Sequence, residues 1–179
     1  MTSVAYITAL TIGIFAIAMS SSNAAMPYTE TPVPDHKHEL VRLDPLETFK
    51  GVKKLTQTEL RDLLAAVGFT GKGLKTAWSV AMRESNGRPV AHNDNVRTGD
   101  NSYGIFQVNM LGSLGTDRRA KYDLSTNADL FDPVTNAKVA FHMTKGGVDW
   151  SSWGLGPNAY DGTADEPSIT KWYPLFPKS

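Results

Sequence analysis

Apolar positions divide this chain into an apolar start, two helical stripes, a polar middle, a third stripe and an aromatic tail. Val4 to Met19 is nearly all apolar or small, but its 16 residues are short for a membrane span, which needs roughly 20. Ser20 to Ala25 follows with small residues of the kind a signal peptidase cuts between. The first basic residue is Lys37, so the stretch lacks a charged leader. Residues 1–25 therefore read as an export signal, an uncleaved membrane anchor making contact through residues 4–19, or a buried apolar arm. Residues 26–54 read as a linker or extension, opened by three prolines between Met26 and Pro34.

The globular part is expected from residue 55. Thr56 and Glu59 form a capping box, Leu60, Leu63, Leu64 and Val67 supply the first stripe, and Gly68 ends it. A short turn, 69–73, leads into a second stripe of Leu74, Ala77, Trp78, Ala81 and Ser85. Asn86-Gly87 and then Arg88-Pro89 stop this helix. The two helices are expected to pack as a pair.

Ala91 to Gly104 is polar and rich in turn formers. Tyr103 to Asn109 then reads at period two, with Tyr103, Ile105, Gln107 and Asn109 on one side and Gly104, Phe106 and Val108 on the other. A short hairpin or extended loop fits. Ala120 to Leu130 is expected to be a helical turn and a loop. Asp132-Pro133 is an N-cap followed by proline at the first helical position. Val134, Ala137, Ala140, Phe141 and Thr144 continue that helix to Gly146-Gly147, with His142 on its polar flank. The tail holds Trp150, Trp153, Tyr160, Trp172, Tyr173 and Phe176 among prolines, so long helices are not expected there. The pattern as a whole predicts a mainly helical domain with a short β element.

Composition narrows the classes of function. With 18 basic and 18 acidic residues the formal charge is zero, so no nucleic-acid partner is expected. There is no cysteine, which removes disulfides and thiolate metal sites. Asp35-His36-Lys37-His38-Glu39 has weak ligand spacing and reads as a solvated polar segment. No metal site and no cofactor is assigned.

Chemistry concentrates on Glu84. It follows Ala77 and Ala81 by seven and three residues, so it is expected along the apolar side, close to the helix C-terminus. Desolvation and the negative end of the helix dipole would both favour the protonated form, which suits a general acid. The plainer alternative is an acid at the margin of the stripe that reaches water. Gln107 and Asn109 offer donors and acceptors together, as sugar hydroxyl and acetamido groups require; they too could simply face water.

Glu84-Ser85, followed about 20 residues later by Gly104-Ile105-Phe106-Gln107-Val108-Asn109, resembles the lytic transglycosylase (SLT-type) and goose-type lysozyme superfamily. There a Glu-Ser precedes a Gly-x-x-Gln motif. Phe131 to Ala137 and Trp150-Ser151-Ser152-Trp153 extend the likeness toward lysozyme-like domains of phage and actinobacterial cell-wall proteins, over roughly residues 55–162. The resemblance implies an α+β lysozyme-like fold over residues 55–179, with the hairpin beside an active-site groove. It implies cleavage of the β-1,4 bond between N-acetylmuramic acid and N-acetylglucosamine in peptidoglycan.

In that reading Glu84 protonates the leaving oxygen and Ser85 helps to hold substrate or acid. Gln107 and Asn109 contact glycan, and Tyr103 and Tyr160 line the groove. Relatives often carry Ala-Tyr-Asn where this chain has Ala159-Tyr160-Asp161, which weakens the assignment of Tyr160. An inverting hydrolase needs a second carboxylate roughly 6.5–9.5 Å from the acid, for which Asp94 or Asp100 is available. A transglycosylase needs none, because the substrate's 6-hydroxyl closes the ring. The resemblance further implies a monomeric catalytic domain that is exported or virion-associated. Two other classes stay open: a noncatalytic peptidoglycan-binding module on the same fold, and a virion or envelope structural protein.

Overall fold

The computed structural model describes residues 44–155 and 167–178, all within one compact unit, Val41–Ser179. The apolar start, the Pro-rich stretch up to residue 43, the His36/His38 segment, Tyr160 and Asp161 lie outside the described residues.

Helix α1 spans Gln57–Val67. Its capping box forms as expected: Glu59 N–H donates to Thr56 Oγ1 at 3.2 Å and Thr56 N–H donates to Glu59 Oε2 at 2.7 Å. Leu60, Leu63 and Leu64 are buried against helix α2, Gly71–Ser85, and helix α4, Pro133–Met143. The middle of α2 is buried nearly all round, from Thr76 to Met82, as befits a helix enclosed by others. Trp78 Nε1 donates to the Gln57 carbonyl at 3.1 Å, locking the pair. Asn86, at φ 55°, ends α2 in the left-handed conformation, with Gly87 N–H reaching back to the Ala81 carbonyl.

A three-stranded antiparallel sheet follows, β1 (His92–Asn93), β2 (Ser102–Tyr103) and β3 (Val108–Asn109), in that order. Ser102 pairs with both Asn93 and Asn109. The hairpin is real, but the period-two reading fails between the strands. Residues 104–107 are a turn, and both Ile105 and Phe106 are fully buried, because the turn is driven inward and not laid along a surface.

Helix α3, Ser113–Tyr122, was not expected beyond a turn. Its sequence has almost no apolar stripe; Leu114 is exposed and Gly115 is the buried contact. A Cβ on Gly115 would stand 2.3 Å from the Met110 carbonyl oxygen, so the helix approaches through its backbone. A 3-10 turn, Asn127–Phe131, precedes α4. There Asp132 caps as predicted, accepting from Thr135 N–H at 2.8 Å. Its other oxygen accepts from Gly51 N–H at 2.6 Å. Within the stretch read as linker, Leu46 is buried in the core and Phe49 packs against it. His142 is exposed on α4. The tail keeps to short pieces, including α5 at Pro167–Thr170, and Trp150 is 1% exposed in the core beside Phe69 and Phe106.

Candidate active site

The last turn of α2 and the 104–107 turn are fastened together by side chains from three elements. Ser85 Oγ donates to the Ile105 carbonyl at 2.8 Å. Asn136, fully buried on α4, accepts from Phe106 N–H at 2.9 Å and donates to the Tyr103 and Leu130 carbonyls. Trp153 Nε1 donates to the Phe106 carbonyl at 2.8 Å. Gly104 is obligatory in this junction: it sits at φ 75°, and a Cβ there would lie 2.2 Å from Asn136 Nδ2 and 2.3 Å from the Leu130 carbonyl oxygen.

The turn closes on Gln107, which holds φ 48° without being glycine. Such a conformation costs about 1–2 kcal/mol. Its amide offsets this by donating to the Gly104 carbonyl at 2.9 Å and the Ala91 carbonyl at 3.1 Å. Asn109 is similarly engaged, accepting from Leu111 and Asn101 N–H and donating to the Gly99 carbonyl. Both amides shape the loop around them while lining a cleft.

That cleft has a volume of about 380 Å³, within the range of small-ligand sites. Glu84, Asp100, Gln107, Asn109, Arg118 and Trp153 line it. The surroundings of Glu84 differ from the apolar face expected for it. Arg83 lies on its carboxylate, with Nη2 at 2.6 Å and Nε at 2.8 Å from Oε1. Neighbouring residues on a helix do not normally face each other, so spacing gave no reason to anticipate this pair. Arg83 is turned by its other contacts, donating to the Trp153 carbonyl at 2.8 Å and to Ser168 Oγ at 3.1 Å. Among the described residues nothing donates to Glu84 Oε2, and the side chain is 23% exposed.

Ser85 is 4% exposed; with its hydroxyl committed to backbone, it positions the helix end and does not face the cleft. Tyr103 packs on His92 at 4.4 Å and Phe131 at 5.2 Å between ring centroids, and is not among the residues lining the cleft. Asp100 lines the cleft, with its carboxylate accepting from Ser102 Oγ at 3.1 Å. Asp94 is exposed and does not line it.

Three residues at this site escaped the sequence reading: Arg83, Asn136 and Arg118. Asn136 carried a usable signal, since a polar residue inside the Val134–Ala137–Ala140 stripe must find partners when buried. Arg118 carried none. It is half-buried on α3, donates to the Asn109 carbonyl, and burial pulls its guanidinium below the ordinary value.

A helical domain around a buried central helix, with a small antiparallel sheet flanking a cleft that holds the helix's terminal glutamate, is the architecture of a lysozyme-like protein. The sequence model of the family described as "Lysozyme like domain" matches residues 61–155, over half of the 179 residues, and the chain belongs to that family. No curated protein and no solved structure matches the chain. Membership supports glycosidase or transglycosylase activity on peptidoglycan in general terms, and an exported or cell-wall location. Among the described residues no helix is long and apolar enough to cross a membrane.

Proposed function

We propose that this domain cleaves the β-1,4 bond between N-acetylmuramic acid and N-acetylglucosamine in peptidoglycan, with Glu84 as general acid. One observation carries the reading: Glu84 lines the cleft with one carboxyl oxygen held by Arg83 and the other without a partner among the described residues. An acid so oriented can deliver a proton from Oε2 to the glycosidic oxygen as the C1–O bond breaks. The electron pair of that bond leaves with the protonated oxygen, and positive charge develops on the muramic acid ring.

Glu84, now deprotonated, can take the proton of the muramic acid 6-hydroxyl as that oxygen closes onto C1, giving a 1,6-anhydro end. Alternatively Asp100, the other acid lining the cleft, can activate water and give a reducing end. Gln107 and Asn109 border the glycan path. In this reading residues 55–179 are a monomeric catalytic domain whose core Leu46 and Phe49 of the preceding stretch complete, residues 1–25 direct export or anchoring, and the rest of residues 26–54 joins the two.

Mass spectrometry of the products from purified peptidoglycan, with the full chain and with Glu84→Gln, tests this. Anhydromuramic ends from wild type alone mean a transglycosylase; reducing ends mean a hydrolase. No Glu84-dependent product on several wall types would sink the catalytic reading in favour of a binding or structural role.

A further inference from the structure

A second depression of about 400 Å³ adjoins the cleft, and Arg118, Met143 and Ser152 line both. Its charge is lopsided, with Arg118, Lys121 and Lys145 against the single acid Asp117. Lys145 is paired with Asp149 at 3.0 Å. Arg118 donates to the neutral Asn109 carbonyl and, like Arg88 and Arg119, has no carboxylate partner among the described residues; unlike them it lines both depressions. A guanidinium that is partly desolvated and unpaired is costly to keep. It retains free donors in a planar fork suited to a carboxylate. Lys121 is exposed beside it, 5.5 Å from the centroid of the Tyr122 ring, and Leu114, Tyr122 and Met143 add apolar surface to the same depression.

We infer that Arg118, assisted by Lys121, binds a carboxylate of the peptidoglycan stem peptide at the junction of the two depressions. The inference rests on peptidoglycan being the substrate of the adjoining cleft. The chemistry selects the peptide. Sugar hydroxyls and acetamido groups are neutral, and in an intact strand the lactyl carboxyl of muramic acid is tied up in the amide to the stem. Free carboxylates therefore sit on the peptide, and its alanyl methyl groups match the apolar lining. The domain then reads the peptide as well as the glycan, preferring peptide-bearing strands over bare ones.

Calorimetry with soluble glycan oligomers, either peptide-bearing or stripped by an amidase, tests this on the full chain carrying Glu84→Gln, so that nothing is turned over. Peptide-bearing oligomers are expected to bind about tenfold tighter or more, and added salt should erode the preference. Arg118→Gln should bring the ratio to near one. Lys121→Glu, a change at an exposed position, should reduce it in the same direction. Equal binding of the two oligomers by the parent would overturn the inference. So would an Arg118→Gln loss of equal size on both, which would assign Arg118 to holding Asn109, or a loss on the stripped oligomer alone, which would assign it to the lactyl carboxylate that the amidase frees. Cleavage is scored separately: peptide-dependent binding through Arg118 with no Glu84-dependent products would sink the catalytic reading and leave this one standing.

Discussion

The hydroxyl of Ser85 donates to the carbonyl of Ile105 at 2.8 Å, across 20 residues of chain. This contact joins the helix turn that carries Glu84 to the hairpin turn that carries Gln107. The same oxygen accepts from Arg88 N–H at 3.1 Å, so it also fixes the exit of the chain from α2. The Glu-Ser pair and the Gly-x-x-Gln turn are thus two halves of one brace, and the serine acts through backbone.

Ser85→Ala removes that brace and leaves the buried Ile105 carbonyl without its side-chain partner. The expected cost is about 1–3 kcal/mol, read as a lower urea midpoint with an unchanged m-value. Peptidoglycan cleavage per folded molecule should also fall, because Glu84 and the hairpin lose their common anchor.

Asn136 satisfies three backbone groups at once, and its removal should be harsher. Asn136→Ala strands Phe106 N–H and the Tyr103 and Leu130 carbonyls. A loss of about 3 kcal/mol or more is expected, a large share of the roughly 5–15 kcal/mol that stabilises a typical domain. Asn136→Asp should do no better despite its shape, since a carboxylate would face two carbonyl oxygens. Gly104→Ala should unfold the turn, and combining it with Asn136→Ala should not rescue it. The new Cβ would still lie 2.3 Å from the Leu130 carbonyl oxygen. Thermal melts of the three variants and the double variant check this.

Much of the fold could be read from local pattern, and the misses share a physical cause. Thr56 with Glu59, the α1 stripe, Asn86-Gly87 and Asp132-Pro133 are local signals, and each sets its helix end where expected, whereas α2 begins at Gly71, inside the turn expected over 69–73. Helix α3 gave no stripe because it packs through the backbone at Gly115. Ile105 and Phe106 broke period two because tertiary contacts from Ser85, Asn136 and Trp153 pull the turn inward. At the cleft, Glu84, Asp100, Gln107 and Asn109 were visible as residue types in a motif or loop. Arg83 and Arg118 were not, because what singles them out, the carboxylate that Arg83 holds and the place of Arg118 between two depressions, is set in three dimensions.

Asp149 supplies a pH-dependent element away from the cleft. Hydrogen bonds from Ser151, then the Lys145 ammonium, lower its carboxyl from 3.8 to about 2. A depressed folded value means that the contribution to stability is present above the unfolded value, near pH 4, and is lost as pH falls through about 2. Asp149→Asn should therefore melt below wild type at pH 6. The gap should close between pH 4 and pH 2, and a gap that stays constant down to pH 2 would contradict this assignment.

Arg83 connects the acid to the tail, and its geometry cannot be supplied by charge alone. Its guanidinium reaches Glu84, the Trp153 carbonyl and Ser168 Oγ at once, a spread that a lysine ammonium on a single flexible stem does not reproduce. Arg83→Lys keeps the positive charge near Glu84 but releases at least one of the other two anchors. If the orientation of the carboxylate is what matters, muropeptide release should fall about 10- to 100-fold with little change in KM. Arg83→Met, which also removes the charge, should fall further. Full activity in Arg83→Lys would mean that charge alone suffices and that the fork to Trp153 and Ser168 serves only the fold. Limited proteolysis gives a readout independent of catalysis: Arg83→Met should be cut faster within residues 167–178 than wild type, because the Arg83 hydrogen bond to Ser168 Oγ is lost.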